Sequence, residues 1–556
     1  MSDKKQQKSI DTNVKTDIRK MVLPGILCIQ IILIFWCNLQ YLPRYLDGDF
    51  AKLATHIEEM AANGTLAISG WKYTTTAEWD CVTLFALPLY CITHRLYLSL
   101  ALGNLLITLL LTLACFLIFD DRKKALISAN LLLIPYEFGI LSYCNMLFYG
   151  GSQYSIKVLV PLLLAGVSLK LSALKSEGKK PGASIIAASA LLLFLILTTC
   201  ASSGIYVCMC GIFPIVAAYL VWHYMAGKPV PKIWTGLAAA GILLAGAGIL
   251  INQKVMGGTR ADSLSFVTFQ EYCDGYISRA IAGFFSVFGA STVNGNVYIT
   301  SVYGIFLFLR ILFVLLLISA IAASLKITAA ALHSTQGRHP ESVKAGGTGD
   351  LTVLRDVMLL GAFFWNLLII MVADVRAGSP TFEYRYYLIG TVPALFLLAE
   401  RLSDIHDRAV KSRRTVTAAA YVLLLLAMLL GCYRNIVTLW DREGDVHAEY
   451  RELVSYCEEN GIDMLYIYDR SHETDICRLL SSGPMFVDVL PNGYTWVNDY
   501  YASYEGPLET SECFVAVPAV SAVFDEGEKI FERKAQLIHE IGSIRIYRLS
   551  QQSDNP

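Results

Sequence analysis

The chain has 556 residues, of which 55% are hydrophobic, 11% aromatic and 16% charged, and its mean hydropathy is +0.50. The charged fraction lies well below the quarter that is typical of soluble domains, so the composition indicates a polytopic membrane protein. The formal net charge of −1 provides no basic field for nucleic acid, and no nucleic-acid partner is expected.

The amino-terminal segment, residues 1–21, is polar and basic, and an apolar run over residues 22–42 follows it. This run is too long for the core of a signal peptide and has no small-residue cleavage motif, so we expect a retained helix. Basic residues prefer the cytoplasmic side of a membrane. The sequence therefore predicts a cytoplasmic leader and an outer location for the next loop.

Further apolar runs of about twenty residues, the length that crosses a bilayer, bring the number of predicted spans to about eleven. Their bounds are 97–119, 125–148, 154–174, 183–200, 204–225, 233–251, 301–323, 357–373, 387–402 and 416–432. The transmembrane domain then covers residues 22–432, with outer loops at 43–96, 252–300 and 374–386. Five basic loops, at 120–124, 175–180, 228–232, 326–344 and 401–414, all fall on the cytoplasmic side, as the charge rule requires.

The composition after residue 432 is that of a soluble domain, and the odd number of spans places residues 433–556 outside the cell. A helix is predicted over 445–460 and buried strands over 464–468, 485–490 and 514–517. Residues 537–549 read as a hairpin that turns at Gly542-Ser543. The expected fold class is an α-helical polytopic membrane protein with a small carboxyl-terminal extracytoplasmic α/β domain.

Two carboxylates, Asp47 and Asp49, lie just past the first apolar run. They are either a solvated helix exit or a functional pair held at the membrane edge. Residues 50–60 have helical apolar spacing and predict a helix on the membrane surface that ends at Asn63-Gly64. The short apolar stretch 82–92 reads as re-entrant or interfacial, and Glu78 and Asp80 precede it.

The other outer loops carry complementary charge. Lys254, Arg260 and Arg279 belong to the loop at 252–300, and Arg376, Arg385 and Tyr386 to the loop at 374–386. Two alternatives stay open here: Arg385 forms an interfacial ion pair with Glu383, or its tyrosine neighbours belong to an aromatic belt.

Several common sites are not indicated by the sequence. It has no CxxC pair, HExxH, GxSxG or Walker sequence, which argues against zinc peptidases, serine hydrolases and P-loop NTPases. Most of the 14 cysteines lie in the spans, and the three in the outer domain allow one disulfide at most. His56 and His94 are expected to be surface or interface residues and not metal ligands.

The layout of a cytoplasmic leader, an outer loop with an acidic pair, about eleven spans and an outer domain resembles the GT-C superfamily of polyprenyl-phosphate-sugar-dependent glycosyltransferases. Arg385-Tyr386 followed by Pro393 resembles the RY-then-proline stretch of its protein mannosyltransferase and aminoarabinose-transferase branch. The resemblance implies a plasma (inner) membrane enzyme that moves a sugar from a polyprenyl-phosphate donor, within membrane lipid, to an extracytoplasmic acceptor.

The resemblance also implies roles for the charged residues. A carboxylate would act as general base on the acceptor, which assigns Asp49 or Asp47, with Asp49 favoured. Glu78 and Asp80 are the reserve acids. The donor phosphate needs cations or hydrogen-bond donors, and the assigned residues are Arg385, Arg260, Arg279 and Tyr386.

The sequence leaves open whether the acidic pair binds a divalent cation. Asp47 and Asp49 could together hold Mg²⁺ or Mn²⁺ against a diphosphate, although the sequence does not require a metal.

Two other functional classes remain as alternatives. A transporter or flippase would use a mid-membrane polar residue such as Glu137, but no inverted repeat or matched pair of broken helices is visible. A catalytically idle surface protein would not need eleven spans. The transporter predicts sensitivity to substitution at Glu137 and tolerance at Asp47 and Asp49, whereas the enzyme predicts the reverse.

Overall fold

The architecture is described from a computed structural model. It covers residues 2–40, 46–136, 143–257, 265–290, 298–336, 348–373, 384–412, 447–508, 512–524 and 529–550. Side chains are described from residue 21 onward, apart from those of 334–336, 348–349, 384 and 406–412. The predicted boundary between the two domains, at residues 432 and 433, lies outside these ranges.

The first part of the chain is helical. Its helices are α1 (Ser2–Gln40), α2 (Gly48–Asn63), α3 (Thr83–Thr93), α4 (Leu96–Ile118), α5 (Arg122–Leu132), α6 (Tyr143–Leu147), α7 (Ser155–Ser176), α8 (Ala183–Ser203), α9 (Phe213–Met225), α10 (Lys232–Met256), α11 (Phe269–Cys273), α12 (Tyr276–Val287), α13 (Val302–Gln336), α14 (Thr348–Val372) and α15 (Leu388–Ser412). A π-helical turn, Cys208–Ile212, precedes α9, and a 3₁₀ turn, Tyr384–Tyr387, precedes α15.

Eight helical segments within the described residues are long and apolar enough to cross a membrane. They are Met21–Gln40, Leu96–Ile118, Ser155–Ser176, Ala183–Ser203, Cys208–Met225, Lys232–Met256, Val302–His333 and Asp350–Val372. Each corresponds to one of the predicted spans. The prediction of a multi-pass membrane protein is confirmed.

The other three predicted spans have different outcomes. The run 125–148 is not one helix, because α5 ends at Leu132 and residues 133–136, including Pro135, are not helical. Proline lacks the backbone N–H of a helical residue and disfavours helix in the residue before it, which accounts for the break. Residues 387–402 belong to α15, whereas 416–432 and Glu137 lie outside the described residues.

Helix α15 buries an apolar face in the membrane core, and ion pairs fasten its carboxyl-terminal half. Lys124 of α5 reaches Glu400 and Asp404 of α15 at 3.1 Å each, and Arg401 contacts Asp356 of α14 at 2.9 Å. Glu400 and Asp356 are buried. These ion pairs join three helices at the end that the charge rule assigns to the cytoplasm.

The carboxyl-terminal part forms an eight-stranded mixed sheet. It contains α16 (Ala448–Glu459), α17 (Ser471–Leu480) and strands β1 (Met464–Tyr468), β2 (Met485–Val489), β3 (Tyr494–Trp496), β4 (Gly506–Pro507), β5 (Glu512–Pro518), β6 (Lys529–Ile530), β7 (Arg533–Ile541) and β8 (Ile544–Ser550). The strand order is β4-β3-β2-β1-β5-β8-β7-β6, and β1 pairs in parallel with β2 and β5. The predicted strands and the hairpin at Gly542-Ser543 are confirmed.

The two faces of this sheet bury separate apolar clusters. Leu465 and Ile467 pack with α16 and α17 on one face, whereas Tyr466 packs with Val487 on the other. The alternation follows from the two-residue period of a strand. Helix α17 also places Ile476 in the apolar core of the membrane part, so this helix joins the two parts of the molecule.

Candidate active site

Asp47 and Asp49 lie at the start of helix α2, and their two carboxylates have different structural roles. The Asp47 side chain caps the helix by accepting a hydrogen bond from the Phe50 N–H at 2.7 Å. Asp49 lies in the first turn with a side chain that is 24% exposed. The helix ends where the sequence predicted, because Gly64 adopts a φ of 64° and closes it.

The two carboxyl groups also differ in their electrostatics. Removal from water raises the pKa of Asp47 to about 6. Burial opposes ionisation of Asp49 as well, but the positive charges of Lys52, Arg385 and His472 outweigh it and lower the pKa of Asp49 below its usual value. Asp49 is therefore the member of the pair that stays ionised.

Lys52, one turn further along α2, is surrounded by carboxylates. Its Nζ atom lies 2.5 Å from Asp499, 3.6 Å from Asp49 and 3.6 Å from Glu78, and its side chain is 8% exposed. Burial alone would favour the neutral amine, but the three carboxylates together hold the pKa of Lys52 well above its usual value. Lys52 is thus a permanent ammonium ion within the acidic cluster.

The two reserve acids are both buried. Burial, together with the charges of Asp499 and Asp49, raises the pKa of Glu78, although Lys52 opposes the shift. Asp80 accepts hydrogen bonds from the hydroxyls of Ser202 and Ser203, at 2.7 Å each.

Asp80 is in addition 3.2 Å from the Lys157 ammonium, and its side chain is fully buried. Asp80 therefore anchors the first outer loop to the start of α7 and to the end of α8. Its buried side chain is not accessible to a substrate.

Helix α17 of the sheet domain packs against the start of α2. A Cβ atom added at Gly48 would lie 2.7 Å from the His472 Cα, so only glycine permits this approach. His472 is exposed beside the two aspartates. On the buried side of the same helix, Asp475 pairs with Arg478 at 2.7 Å, and burial raises the pKa of Asp475 to about 7.

An aromatic seam joins the first outer loop to residues 497–505. The Lys72 N–H donates to the Tyr500 carbonyl at 2.8 Å, and the Ala502 N–H donates to the Gly70 carbonyl at 3.0 Å. Trp71 lies between, with its ring centre 4.9 Å from that of Tyr500. These contacts fix the segment that carries Asp499.

His56 is stacked on the opposite side of Trp71, at 4.8 Å between ring centres. It is 1% exposed, and burial lowers its pKa to about 4. Of the two locations expected for His56, the surface is therefore wrong, because the sheet domain and the first outer loop cover this side chain. The location of α2 at the membrane surface stays a prediction.

Arg385 and Tyr386 lie in the turn Tyr384–Tyr387. The guanidinium carbon of Arg385 is 5.4 Å from the centre of the Tyr386 ring, and Tyr386 meets Tyr154 edge-on at 6.3 Å. The turn is anchored by the Tyr387 hydroxyl, which donates to the Ala280 carbonyl at 2.6 Å. The Arg385 charge is one of those that lower the pKa of Asp49, so these two predicted site residues lie within electrostatic reach of one another.

The other predicted phosphate ligands are less clearly placed. Arg279, next to Ala280 in α12, donates to the Asp274 carbonyl at 3.0 Å, and Lys254 is exposed near the end of α10. Arg260, Arg376 and Glu383 lie outside the described residues.

Comparison with known proteins gives a structural relationship only. No protein-family model and no curated protein matches the chain. Among solved structures, the chain is similar to the Archaeoglobus fulgidus oligosaccharyltransferase in its crystal structure with Zn and sulfate. The TM-score is 0.50 and the identity 13%, over 89% of this chain and 68% of that chain. The chain has an oligosaccharyltransferase-like GT-C fold.

A second crystal structure of the Archaeoglobus enzyme, tethered through a disulfide to an acceptor peptide with the NVT sequon, gives a TM-score of 0.43. The identity is again 13%, over 84% of this chain and 64% of that chain. The similarity to the first of these structures confirms the fold expected from the sequence, and membership of the GT-C superfamily stays a prediction. The narrower resemblance to the mannosyltransferase and aminoarabinose-transferase branch stays a prediction.

Three residues of this candidate site were not found from the sequence. Lys52 follows Asp49 by three positions on a predicted helix, and that spacing could have indicated an ion pair. Asp499 and His472 come from the sheet domain, and no local pattern links them to residues that precede them by more than 400 positions.

Proposed function

We propose that the protein is a membrane glycosyltransferase that moves a sugar from a polyprenyl-phosphate donor to an acceptor hydroxyl on the extracytoplasmic side of the plasma membrane. The observation that carries this proposal is that Asp49 lies within electrostatic reach of Arg385. The two residues belong to separate predicted outer loops, yet the Arg385 charge, after that of Lys52, lowers the pKa of Asp49.

The proposed reaction is a single displacement. Asp49, which is ionised and 24% exposed, takes the proton of the acceptor hydroxyl while the acceptor oxygen bonds to the anomeric carbon. The bond from that carbon to the donor phosphate oxygen breaks, and its electron pair stays with the phosphate. Arg385 stabilises the charge that develops there, because a guanidinium binds two phosphate oxygens at once.

The remaining predicted residues take secondary roles. Tyr386 lines the phosphate side next to Arg385, and Arg279 and Arg260 assist from the loop at 252–300. Asp47 fixes the start of α2 as its cap. Glu78 and Asp80 support the fold of the first outer loop and do not act as bases.

The divalent cation that the sequence left open does not fit Asp47 and Asp49. Asp47 is engaged in capping α2, and the Lys52 ammonium stands 3.6 Å from Asp49. Within the described ranges, no three His, Cys, Asp or Glu side chains converge as a metal site. Although the similar archaeal enzyme was crystallised with Zn, no step of the proposed reaction uses a metal.

Donor consumption tests the function. The purified protein in lipid nanodiscs is incubated with a panel of radiolabelled polyprenyl-phosphate and polyprenyl-diphosphate sugars, with equilibrium binding measured in parallel. We expect one donor class to bind and to be consumed when an acceptor extract from the cell envelope is added.

The phosphate role of Arg385 is tested in the same system. Arg385→Ala removes a charge-assisted contact and should weaken donor binding by about 10-fold to 150-fold. Arg545→Ala, which removes a partly exposed arginine of the sheet domain, is the control and should bind as wild type does. Unchanged donor binding by Arg385→Ala would contradict the assignment.

A further inference from the structure

Two thiols lie against one another where α8 ends and the next helical segment begins. The Sγ atoms of Cys200 and Cys208 are 3.5 Å apart. Cys200 is in the last turn of α8, which ends at Ser203, and Cys208 is the first residue of the π-helical turn before α9. Gly204, with a φ of 63°, turns the chain between them. The fold therefore returns the chain so that the two sulfurs meet.

We propose that Cys200 and Cys208 form a disulfide that fastens the end of α8 to the start of the π-helical turn. The inference goes beyond the proposed sugar transfer and does not depend on it. A disulfide bond is about 2.0 Å long, so the two sulfurs need to approach by about 1.5 Å. Rotation of the two side chains about their Cα–Cβ bonds moves the sulfurs towards one another.

The position of the pair favours oxidation. Both cysteines lie at the ends of membrane spans that the charge rule assigns to the outer side. Ser202 and Ser203, which precede the turn, donate to Asp80 of the first outer loop, so the turn lies on the same side as the candidate site. Disulfides form and persist outside the cytoplasm, because the thiol systems that reduce them are inside the cell.

The two thiols differ in exposure, which sets the order of the reaction. Cys200 is buried, and α10 packs so closely on it that a Cβ added at Gly248 would lie 2.7 Å from the Cys200 Cβ. Cys208 is half-buried. The Cys208 thiolate therefore attacks a small disulfide, such as oxidised glutathione, first. A mixed disulfide forms on Cys208, and one glutathione leaves as a thiol.

The second step closes the cross-link. The Cys200 thiolate attacks the Cys208 sulfur, the bond between Cys208 and glutathione breaks, and the second glutathione leaves as a thiol. The two electrons and two protons given up by the protein thiols are then carried by the two molecules of reduced glutathione.

The cross-link stabilises a segment on which the first outer loop depends. The carbonyls of Ala201 and Ser202, directly after Cys200, accept hydrogen bonds from the Asn252 amide at 3.1 Å and 2.8 Å. The Ser202 carbonyl also accepts the Ala77 N–H of the first outer loop at 3.0 Å. A covalent link at Cys200 restricts the unfolded chain at this point, so it should raise the melting temperature.

Thiol–disulfide exchange in the full-length protein tests the inference without a sugar donor. The protein in lipid nanodiscs is equilibrated with oxidised and reduced glutathione, free thiols are alkylated, and peptide mass spectrometry identifies the linked cysteines. In oxidising buffer we expect a peptide cross-linked between Cys200 and Cys208. The cross-linked protein should melt at a higher temperature than the reduced protein, and a reductant should abolish the difference.

Three variants test the order of the two steps. Cys200→Ser should stop the reaction after the first step and leave Cys208 carrying one glutathione. Cys208→Ser should leave Cys200 as an unmodified thiol, because that side chain is buried. Cys210→Ser is the matched control, since Cys210 is buried two positions after Cys208, and this variant should form the cross-link as wild type does.

The wild-type measurement decides the inference even where a variant does not fold. Cys200 and Cys208 that both stay unlinked in oxidising buffer would overturn it, as would a cross-link from Cys208 to Cys210. A melting temperature that does not change when the cross-link forms would contradict its stabilising role. Failure to find a sugar donor would count against the proposed function and would leave these results unaffected.

Discussion

Asp47 and Asp49 are separated by a single residue, yet the structure gives them unlike environments. The Asp47 carboxylate caps α2 by accepting a hydrogen bond from Phe50. Asp49 instead lies near the Lys52 ammonium, and the positive charge of Arg385 also acts on it. The sequence identified the pair through its position after the first apolar run. The sequence alone could not show that Asp49 has the more favourable environment. The difference between the two environments depends in part on Arg385, which is more than 300 positions away in the chain.

The pH dependence of transfer distinguishes the two carboxylates. A general base works when it is deprotonated, so its activity is full above its pKa and lost below it. The pKa of Asp49 lies below its usual value, so with this base the rate should stay constant as the pH falls from about 7 to about 5. With Asp47 as the base, whose pKa is about 6, the rate would fall with a midpoint near that value. The measurement is a single-turnover rate at each pH with donor saturating.

Asp80 offers a second prediction for a single residue. Asp80→Asn replaces the acceptor of two serine hydroxyls and leaves the Lys157 ammonium without its buried counter-charge. We expect a loss of about 3–5 kcal/mol in stability, since a broken buried ion pair is costly. Ser202→Ala, which removes one hydrogen bond only, should cost less. Thermal unfolding in detergent measures both, and an unchanged melting temperature of Asp80→Asn would show that this carboxylate is not an anchor.

At the scale of elements, helices α2 and α17 form the contact on which the site depends. The helical spacing of residues 50–60 predicted α2 and its end at Gly64 correctly. The partner of its buried face could not be predicted, because a membrane surface and a protein surface select the same apolar residues. The prediction of a single span over 125–148 is wrong for a different reason. It relied on the high hydropathy of the run and did not take into account that Pro135 would interrupt the helix.

The close approach of these two helices predicts the effect of a single methyl group. Gly48→Ala places a Cβ 2.7 Å from the His472 Cα, which is backbone and cannot rotate away. We expect a loss of about 1–3 kcal/mol from overpacking, together with faster proteolysis of the sheet domain. The control is Gly246→Ala in α10, where a Cβ meets nothing within 4 Å and where stability should be unchanged. Equal melting temperatures for both variants would show that α17 does not pack on α2 in this way.

At the scale of the whole molecule, the candidate site is shared between a helical membrane part and a sheet domain. The apolar runs and the strand patterns predicted each part separately, and the structure contains both the apolar helices and the sheet. Their joint site could not be predicted, because Asp499 reaches Lys52 only after both parts have folded. The sheet domain therefore completes the acidic cluster around Lys52.

The most direct test of the account is the rate of sugar transfer by Asp49→Asn beside that of Asp47→Asn, each with donor binding measured on the same preparation. The account predicts that Asp49→Asn binds donor but transfers about 10²- to 10⁴-fold more slowly, whereas Asp47→Asn retains transfer, because an asparagine at the start of a helix still caps it. Transfer by Asp49→Asn at the wild-type rate would contradict the account.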